Sequence, residues 1–325
     1  IWEGLYRHLW QKPEEFSPLP KRLRAALAEA FVFQPFEPAA VLTSTDGETH
    51  KTLFRLADGA QIETVRMRYV RRRTLCISTQ AGCAMGCAFC ATGQMGLVRN
   101  LTAGEIVAQV LYYALWLKQY GERVTHIVFM GMGEPFHNYD ATMRAIDILN
   151  HPQGFALGAR RMTLSTVGLV PQIRRFTREK RQVNLAVSLH AADDELRSSL
   201  IPINRKYPIA TLMEAIREYT DATHRRVTFE WALIRDVNDT EAQAHKLANL
   251  LRGMLAHVNL IPLNPTQGYA GKASSRRRAR AFCEIVERAG IPCTVRLRRG
   301  IDIQAGCGQL ASREAQGLDF VLKSK

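Results

Sequence analysis

The sequence is short of long apolar runs, of acidic charge and of cysteine, and each shortage excludes something. The longest apolar run, at 110–117, is far too short to span a bilayer and carries no signal-peptide pattern. No membrane partner is expected, and the plain reading is a cytoplasmic enzyme. Cysteine totals seven, an odd number, and three of the seven are crowded into 83–90, which argues against the disulfide framework of a secreted domain. Internal repeats and low-complexity tracts are also missing. What remains is a chain of 325 residues, 46% hydrophobic, long enough for one large core plus a small appendage.

Acidic residues number 30 against 44 Lys and Arg, a formal net charge of +14. The excess is clustered: Arg71, Arg72 and Arg73; Arg160 and Arg161; Arg174 and Arg175; Arg225 and Arg226; Arg276, Arg277, Arg278 and Arg280; Arg296, Arg298 and Arg299. Any one run reads as a solvated face. Together, and dominated by arginine, they favour a phosphate-rich partner such as RNA.

The stretch from Gly82 to Cys90 reads Gly-Cys-Ala-Met-Gly-Cys-Ala-Phe-Cys. Cys83, Cys87 and Cys90 form a Cys-x3-Cys-x2-Cys triplet, tight enough for three thiolates to converge on one inorganic centre but one short of a closed site. Structural zinc and ordinary iron–sulfur sites use four protein ligands, so three leave a metal position open. Spacing alone leaves room for an incomplete zinc knuckle or for three small buried hydrophobes. Context adds that 74–79 alternates like a strand, which puts the triplet on a loop after a strand, where α/β folds build sites.

The opening residues after Ile1 already read like the middle of a helix, so further N-terminal sequence is expected to precede them. Residues 1–38 read as a small helical accessory piece, with one apolar stripe at Leu5, Leu9 and Trp10 and another at Leu23, Leu27 and Phe31. Residues 39–73 read as a β-rich extension with turns at Asp46-Gly47 and Asp58-Gly59. From 74 to 325, strands at 74–79, 126–130, 161–165, 183–188, 227–234 and 257–262 alternate with helices. Thr102 and Glu105 form a capping box, Pro171 and Pro208 sit near first turns, and Asn238 or Asp239 is expected as an N-cap. Six βα units predict an α/β fold, a partial (β/α)6 TIM-like barrel with its site at the strand C-terminal ends. Gly133 and Glu134, Ser165, Ser188 with Leu189 and His190, and Asn264 stand at those ends. Singly, each is more often a cap or turn former; four successive strands ending this way point to a ligand.

The triplet resembles that of the radical S-adenosylmethionine (SAM) superfamily, whose loop holds a [4Fe–4S] cluster with SAM on the open iron. More narrowly, the chain resembles the RlmN/Cfr family of radical SAM RNA methyltransferases. The resemblance is carried by Cys76 with the triplet, Gly-Met-Gly-Glu-Pro at 131–135, Ser-Leu-His at 188–190, Ile-Pro-Ile-Asn at 201–204, Asn-Leu-Ile-Pro-Leu-Asn-Pro at 259–265 and Cys-Gly-Gln-Leu at 307–310. It implies that Gly133, Glu134, Ser165, Ser188, Leu189, His190 and Asn264 contact SAM. It further implies that Cys307 carries a methyl group, that Cys76 resolves the RNA adduct through a transient disulfide, and that Glu63 takes the proton from the base. Two SAM molecules would be used per turnover, one to methylate Cys307 and one for the 5′-deoxyadenosyl radical. The implied partners are 23S rRNA, tRNA and an electron donor such as flavodoxin or ferredoxin, with the enzyme a monomer.

One departure is the run Ile-Asp-Ile-Gln-Ala-Gly before Cys307, where family members more often carry a second Asp and two Ala. Cys283 and Cys293 match nothing catalytic and read as packed helix and strand residues. Pro135 after Gly-Glu, and Leu263 before Asn264, resemble enzymes that methylate adenine C2, at adenine 2503 of 23S rRNA and adenine 37 of tRNA, rather than the Cfr-like C8 enzymes. A non-catalytic RNA-binding iron–sulfur protein is the reading from another class, and it has no use for Cys76 and Cys307. Formation of 5′-deoxyadenosine would separate the two, and iron content would exclude a zinc module.

Overall fold

A computed structural model of the chain describes residues 1–296 and 298–310. Near the N-terminus lies helix α1 (Lys21–Ala30), of which only Leu27 is buried. Leu23 and Phe31, expected on the same apolar stripe, are exposed. Phe16, between Trp10 and Phe33, is the aromatic anchor of this region instead.

β-Structure begins at Phe36, inside the stretch read as helical. Strands β1 (Phe36–Thr43), β2 (Thr49–Leu56), β3 (Gln61–Tyr69) and β4 (Arg72–Cys76) form an antiparallel meander. Its first two turns hold Gly47 and Gly59, as the Asp-Gly pairs predict. A short hairpin-like pair, β5 (Gln80–Gly82) and β6 (Leu97–Asn100), brackets the cysteine loop and the single-turn helix α2 (Ala91–Gln94). Helix α3 (Ala103–Lys118) then opens on the expected box: the Thr102 hydroxyl accepts from the Glu105 amide at 3.2 Å, and the Glu105 carboxylate accepts from the Thr102 amide at 2.8 Å.

The alternating core follows as β7 (His126–Phe129), α4 (Tyr139–Asn150), β8 (Met162–Thr166), α5 (Val170–Glu179), β9 (Asn184–Ser188), α6 (Asp194–Leu200), α7 (Ile209–Thr223), β10 (Val227–Leu233), α8 (Glu241–Leu250), β11 (Ala256–Pro262), α9 (Arg276–Arg288) and β12 (Cys293–Val295). One ten-stranded sheet runs β1-β2-β3-β4-β7-β8-β9-β10-β11-β12, parallel from β4 onward. The parallel part therefore has seven strands, not the expected six. The added β12 is only three residues long and follows Pro292, too short for an alternation to register. The β-rich extension is also continuous with the core, because β3 pairs directly with β4 and sets Val65 opposite Cys76. Phe229, Trp231 and Leu233 of β10 are fully buried, as expected for strands covered on both faces.

The N-cap of α8 is Thr240, not Asn238 or Asp239. Asn238 is instead fully buried. Its Oδ1 accepts from the Ile234 amide at 2.7 Å, and its Nδ2 donates to the carbonyls of Ala232 and His190 at 2.7 and 2.8 Å. It ties the end of β10 to the end of β9. Asn238→Ala would leave those backbone groups unsatisfied, so chemical denaturation is expected to show a loss of about 3 kcal/mol; a loss under about 0.5 kcal/mol, typical of surface changes, would contradict this role.

Candidate active site

The cysteine loop leaves β5 and returns through β6. Cys83 and Cys87 are buried and Cys90 is half-buried. The loop is tied down on three sides: the Cys83 amide donates to Gly96, the Ala88 amide donates to Leu200 at the end of α6, and the Ala91 amide donates to Gly308. Burial raises the pKa of all three thiols, that of Cys83 to about 12; Cys83 and Cys87 also feel the negative charge of Cys90, and Cys90 that of Cys307. Three thiolates here need a compensating cation. Among the described residues, no three Cys, His, Asp or Glu side chains are already drawn into metal-binding geometry. The donor set is nonetheless that of a thiophilic centre: three sulfurs on one short loop, with a cavity on the open side.

That cavity runs from the cysteine loop across the ends of the parallel strands. Cys87 and Cys90 lie in its wall with Gly133, Glu134, Ser165, Ser188, His190 and Asn264. The strand ends named from the sequence thus converge, except Leu189, whose side chain is fully buried and absent from the wall. Its backbone contributes instead, the amide donating to Glu230 and the carbonyl accepting from Arg197 Nε at 3.1 Å.

Each polar group on the wall has a defined state. Gly133 has φ of +98°, and a Cβ there would fall 2.5 Å from Gln80 Cβ, so only glycine carries the chain past this point. Glu134, next in line, is buried, with Oε2 accepting from the Val167 amide at 2.9 Å and Oε1 from the Phe136 amide at 3.0 Å. Burial nevertheless raises its pKa to about 7. The ring of His190 is pulled down to about 3 by burial and by Arg197. Its Nδ1 accepts from the Ala232 amide at 2.8 Å, which leaves the proton of the neutral ring on Nε2. Asn264 donates from Nδ2 to the Cys307 carbonyl at 3.0 Å, while its buried Oδ1 has no partner. An unpaired buried acceptor and a costly buried carboxylate suit a ligand that brings hydrogen-bond donors and an ammonium group, as SAM does.

A second, smaller cavity adjoins the first. Cys76, Tyr69, Arg296, Arg298 and Arg299 lie only in its wall, whereas Met130, Ile261, Asn264 and Cys307 belong to both. Cys307 thus stands at the junction. Cys76 is buried, and its thiol is pushed up to about 12 by desolvation and then by Cys307. Arg296 Nη1 donates to Cys307 Sγ at 3.7 Å. All seven cysteines are free thiols, so the Cys76–Cys307 disulfide implied for turnover is not formed here. Glu63 is in neither wall. It is buried on β3 with Oε1 3.0 Å from Lys51 Nζ, two positions along the strand from Val65, the register partner of Cys76.

Four residues that shape the site carry no motif. Arg197 is fully buried and binds the carbonyls of Val167, Ser188 and Leu189 at 2.7, 3.1 and 3.1 Å and Asn204 Oδ1 at 2.8 Å. It staples the ends of β8 and β9, and it explains the Asn of Ile-Pro-Ile-Asn. Glu230 lines the first cavity, raised in pKa by burial and hydrogen-bonded by Asn259. The charge of Arg296 faces Cys307, Glu230 and Cys76. Asn238 holds His190 from behind.

Comparison with known proteins identifies the class. The Radical SAM superfamily pattern matches residues 77–248. The dual-specificity RNA methyltransferase RlmN 1 of Myxococcus xanthus is 52% identical over 95% of this chain and 86% of its own length. A probable dual-specificity RNA methyltransferase RlmN of Chloroflexus aurantiacus is 51% identical over 98% of this chain and 88% of its own. The crystal structure of a radical SAM methyltransferase from Sphaerobacter thermophilus superposes with a TM-score of 0.93 at 55% identity, covering 95% of this chain and 91% of that one. The chain belongs to the radical SAM superfamily and, within it, to the RlmN family of RNA methyltransferases. A [4Fe–4S] cluster and SAM follow from that membership.

The state of Glu134 gives a pH test on cluster-free protein. Its folded pKa of about 7 lies above the 4.5 of the free group, so the folded state holds the proton longer than the unfolded chain. Stability conferred below pH 4.5 is therefore lost as pH rises through that window, by an amount on the order of 3 kcal/mol. Glu134→Gln should remove that part of the decline in thermal melts between pH 5 and 8. Parallel curves for the two proteins would contradict a buried carboxylate held without a cation.

Proposed function

We propose that this enzyme methylates C2 of adenine 2503 in 23S rRNA and C2 of adenine 37 in tRNAs, in the cytoplasm, as a monomer supplied with electrons by a protein such as flavodoxin or ferredoxin. The single observation that carries the reading is the position of Cys307 in the walls of both cavities, with Cys76 in the second alone. Adenine C2 is a poor nucleophile, so polar attack on a sulfonium methyl fails there. When bound, the cluster and two SAM molecules supply a methyl cation equivalent and a radical able to remove a hydrogen atom.

The chain's own residues do the positioning. Glu134 takes the ammonium group of SAM, and Asn264 Oδ1 and the Nε2 proton of His190 meet its polar edges. Cys307 accepts the methyl group on the side of the first cavity and presents it to a base in the second, so that one sulfur serves both halves of the reaction. Cys76 then attacks the Cys307 sulfur: the S–S bond forms as the S–C bond to the base breaks, and the electron pair left on the methylene carbon takes up a proton to complete the methyl group. Glu63 is the residue assigned to take the C2 proton. Its strand lies beside that of Cys76, and the ion pair with Lys51 fixes its carboxylate. Residues 1–38, with Lys21, Arg22 and Arg24 on α1, serve as an RNA-binding accessory.

Reconstituted protein given SAM, a reductant and a 23S rRNA fragment is expected to release 5′-deoxyadenosine and to form 2-methyladenosine by nucleoside mass spectrometry. Cys83→Ala, Cys87→Ala and Cys90→Ala should each lose the iron and all methylation. Formation of 8-methyladenosine, or full iron retention with activity in any of the three variants, would overturn the assignment.

A further inference from the structure

The arginine runs that made the sequence strongly basic differ in what they face. Arg174 is paired with Glu214 and Glu218, Arg175 with Asp140 and Glu179, Arg181 with Asp147 and Glu179, and Arg278 with Asp236 and Asp239. These are salt-bridged surfaces with their charge already neutralised. At and beside the β3–β4 turn, Arg68 and Arg73 reach Glu122, whereas Arg71, Arg72, Arg298 and Arg299 form no salt bridge among the described residues, although the charge of Arg299 is felt by Asp46. Arg160, Arg161, Arg225, Arg226, Arg276, Arg277 and Arg280 form no salt bridge among the described residues either, so the group around Cys76 and Cys307 is set apart by its place in a cavity wall. Arg298 and Arg299 lie in the cavity wall itself.

Between them stands Tyr69, also in that wall and half-buried. The guanidinium of Arg299 lies over its ring at 4.6 Å and that of Arg72 at 5.1 Å. The Arg299 side chain is held in place by a hydrogen bond from Nη1 to the Arg68 carbonyl at 3.3 Å. An aromatic ring in the cavity wall, with guanidinium groups stacked on it that can turn to phosphates as a base takes the ring face, is an arrangement that takes an unstacked base and grips the backbone on either side of it. Segments far apart in the sequence supply the parts: Tyr69 and Arg72 flank the turn between β3 and β4, inside the sheet, and Arg298 and Arg299 follow β12 at its edge.

We infer that Tyr69 is the stacking platform for the extruded target adenine and that Arg71, Arg72, Arg298 and Arg299 bind the phosphates flanking it. This rests on the functional reading above, in which the second cavity receives the base. The platform and the phosphate grip act on different observables, so they separate experimentally. Phosphate contacts release counterions and set the salt slope of binding, whereas a stacking ring contributes to affinity without changing that slope.

The probe is an RNA hairpin whose loop carries 2-aminopurine in place of the target adenine, titrated with cluster-free protein by anisotropy and by 2-aminopurine fluorescence. Arg298→Ala with Arg299→Ala should weaken binding at least tenfold at low salt and lower the log–log salt slope by about 1 per arginine removed. Tyr69→Ala should keep the wild-type slope but lose the fluorescence change, and Tyr69→Phe should restore it. An unchanged slope in the double arginine variant, or an unchanged fluorescence response in Tyr69→Ala, overturns the proposal while leaving RNA methylation intact. Failure of the wild-type protein to bind the hairpin at all overturns the functional reading and this inference with it.

Discussion

The structure depends on the docking of the 306–310 loop against the cysteine loop. Gly308 O accepts from the Ala91 amide at 2.7 Å, one residue beyond Cys90, and Leu310 O accepts from the Thr92 hydroxyl at 2.6 Å. Asn264 and Gln309 close the clamp, the first onto the Cys307 carbonyl and the second onto the Pro265 carbonyl at 3.0 Å. A Cβ on Gly306 would fall 2.6 Å from Asn264 Nδ2, so the approach is as close as glycine allows. The first two contacts join segments more than 200 positions apart in sequence, and together with the clamp they hold Cys307 on the open side of the cysteine triplet. Cys76 reaches the same point from β4, the strand at which the antiparallel meander becomes a parallel sheet.

Buried charge is the second organising feature. Arg197, Glu134 and Glu230 are each nearly inaccessible, and each is shifted by burial toward its neutral form, Arg197 to a pKa of about 10. Burying an ion costs several kcal/mol before any partner repays it. Structural packing gives no reason to accept that cost around two adjoining cavities. A cationic ligand beside Glu134, and thiolates bound to a metal cluster beside Arg197, supply the missing counter-charges. These buried, shifted charges around the two cavities point to what the site is built to hold.

Much of this was legible in the sequence, for identifiable reasons. The six long strands announce themselves through apolar alternation and through the Gly, Ser, His and Asn residues at their ends, and Thr102-x-x-Glu105 is a local signal read correctly. What escaped was set by contacts distant in sequence. β12 is too short to show a period. Arg197 sits in a short amphipathic helix where an arginine looks solvent-facing, and only the fold reveals that it points inward to three carbonyls. Asn238 resembles an N-cap because it stands just before a helix, but the strand beside it claims its amide. Leu189 shares a motif with Ser188 and His190, yet strand alternation turns its side chain away from the cavity. Glu63 was reached through resemblance, and its ion pair with Lys51 depends on a strand pairing that spacing does not reveal.

The central claim is that Cys307 carries the methyl group to the base and that Cys76 releases the product. It is tested most directly by Cys76→Ala. If Cys76 were only a packed strand residue, the substitution would cost on the order of 1 kcal/mol of stability and leave turnover intact. The account predicts instead that the variant loads Cys307, couples to adenine and stops, so that protein accumulates covalently bound to RNA on a denaturing gel. Mass spectrometry after nuclease digestion should find the adduct on the Cys307 peptide, and the double variant with Cys307→Ala should form none. Multiple-turnover methylation by Cys76→Ala at the wild-type rate, with no cross-linked species, would contradict it.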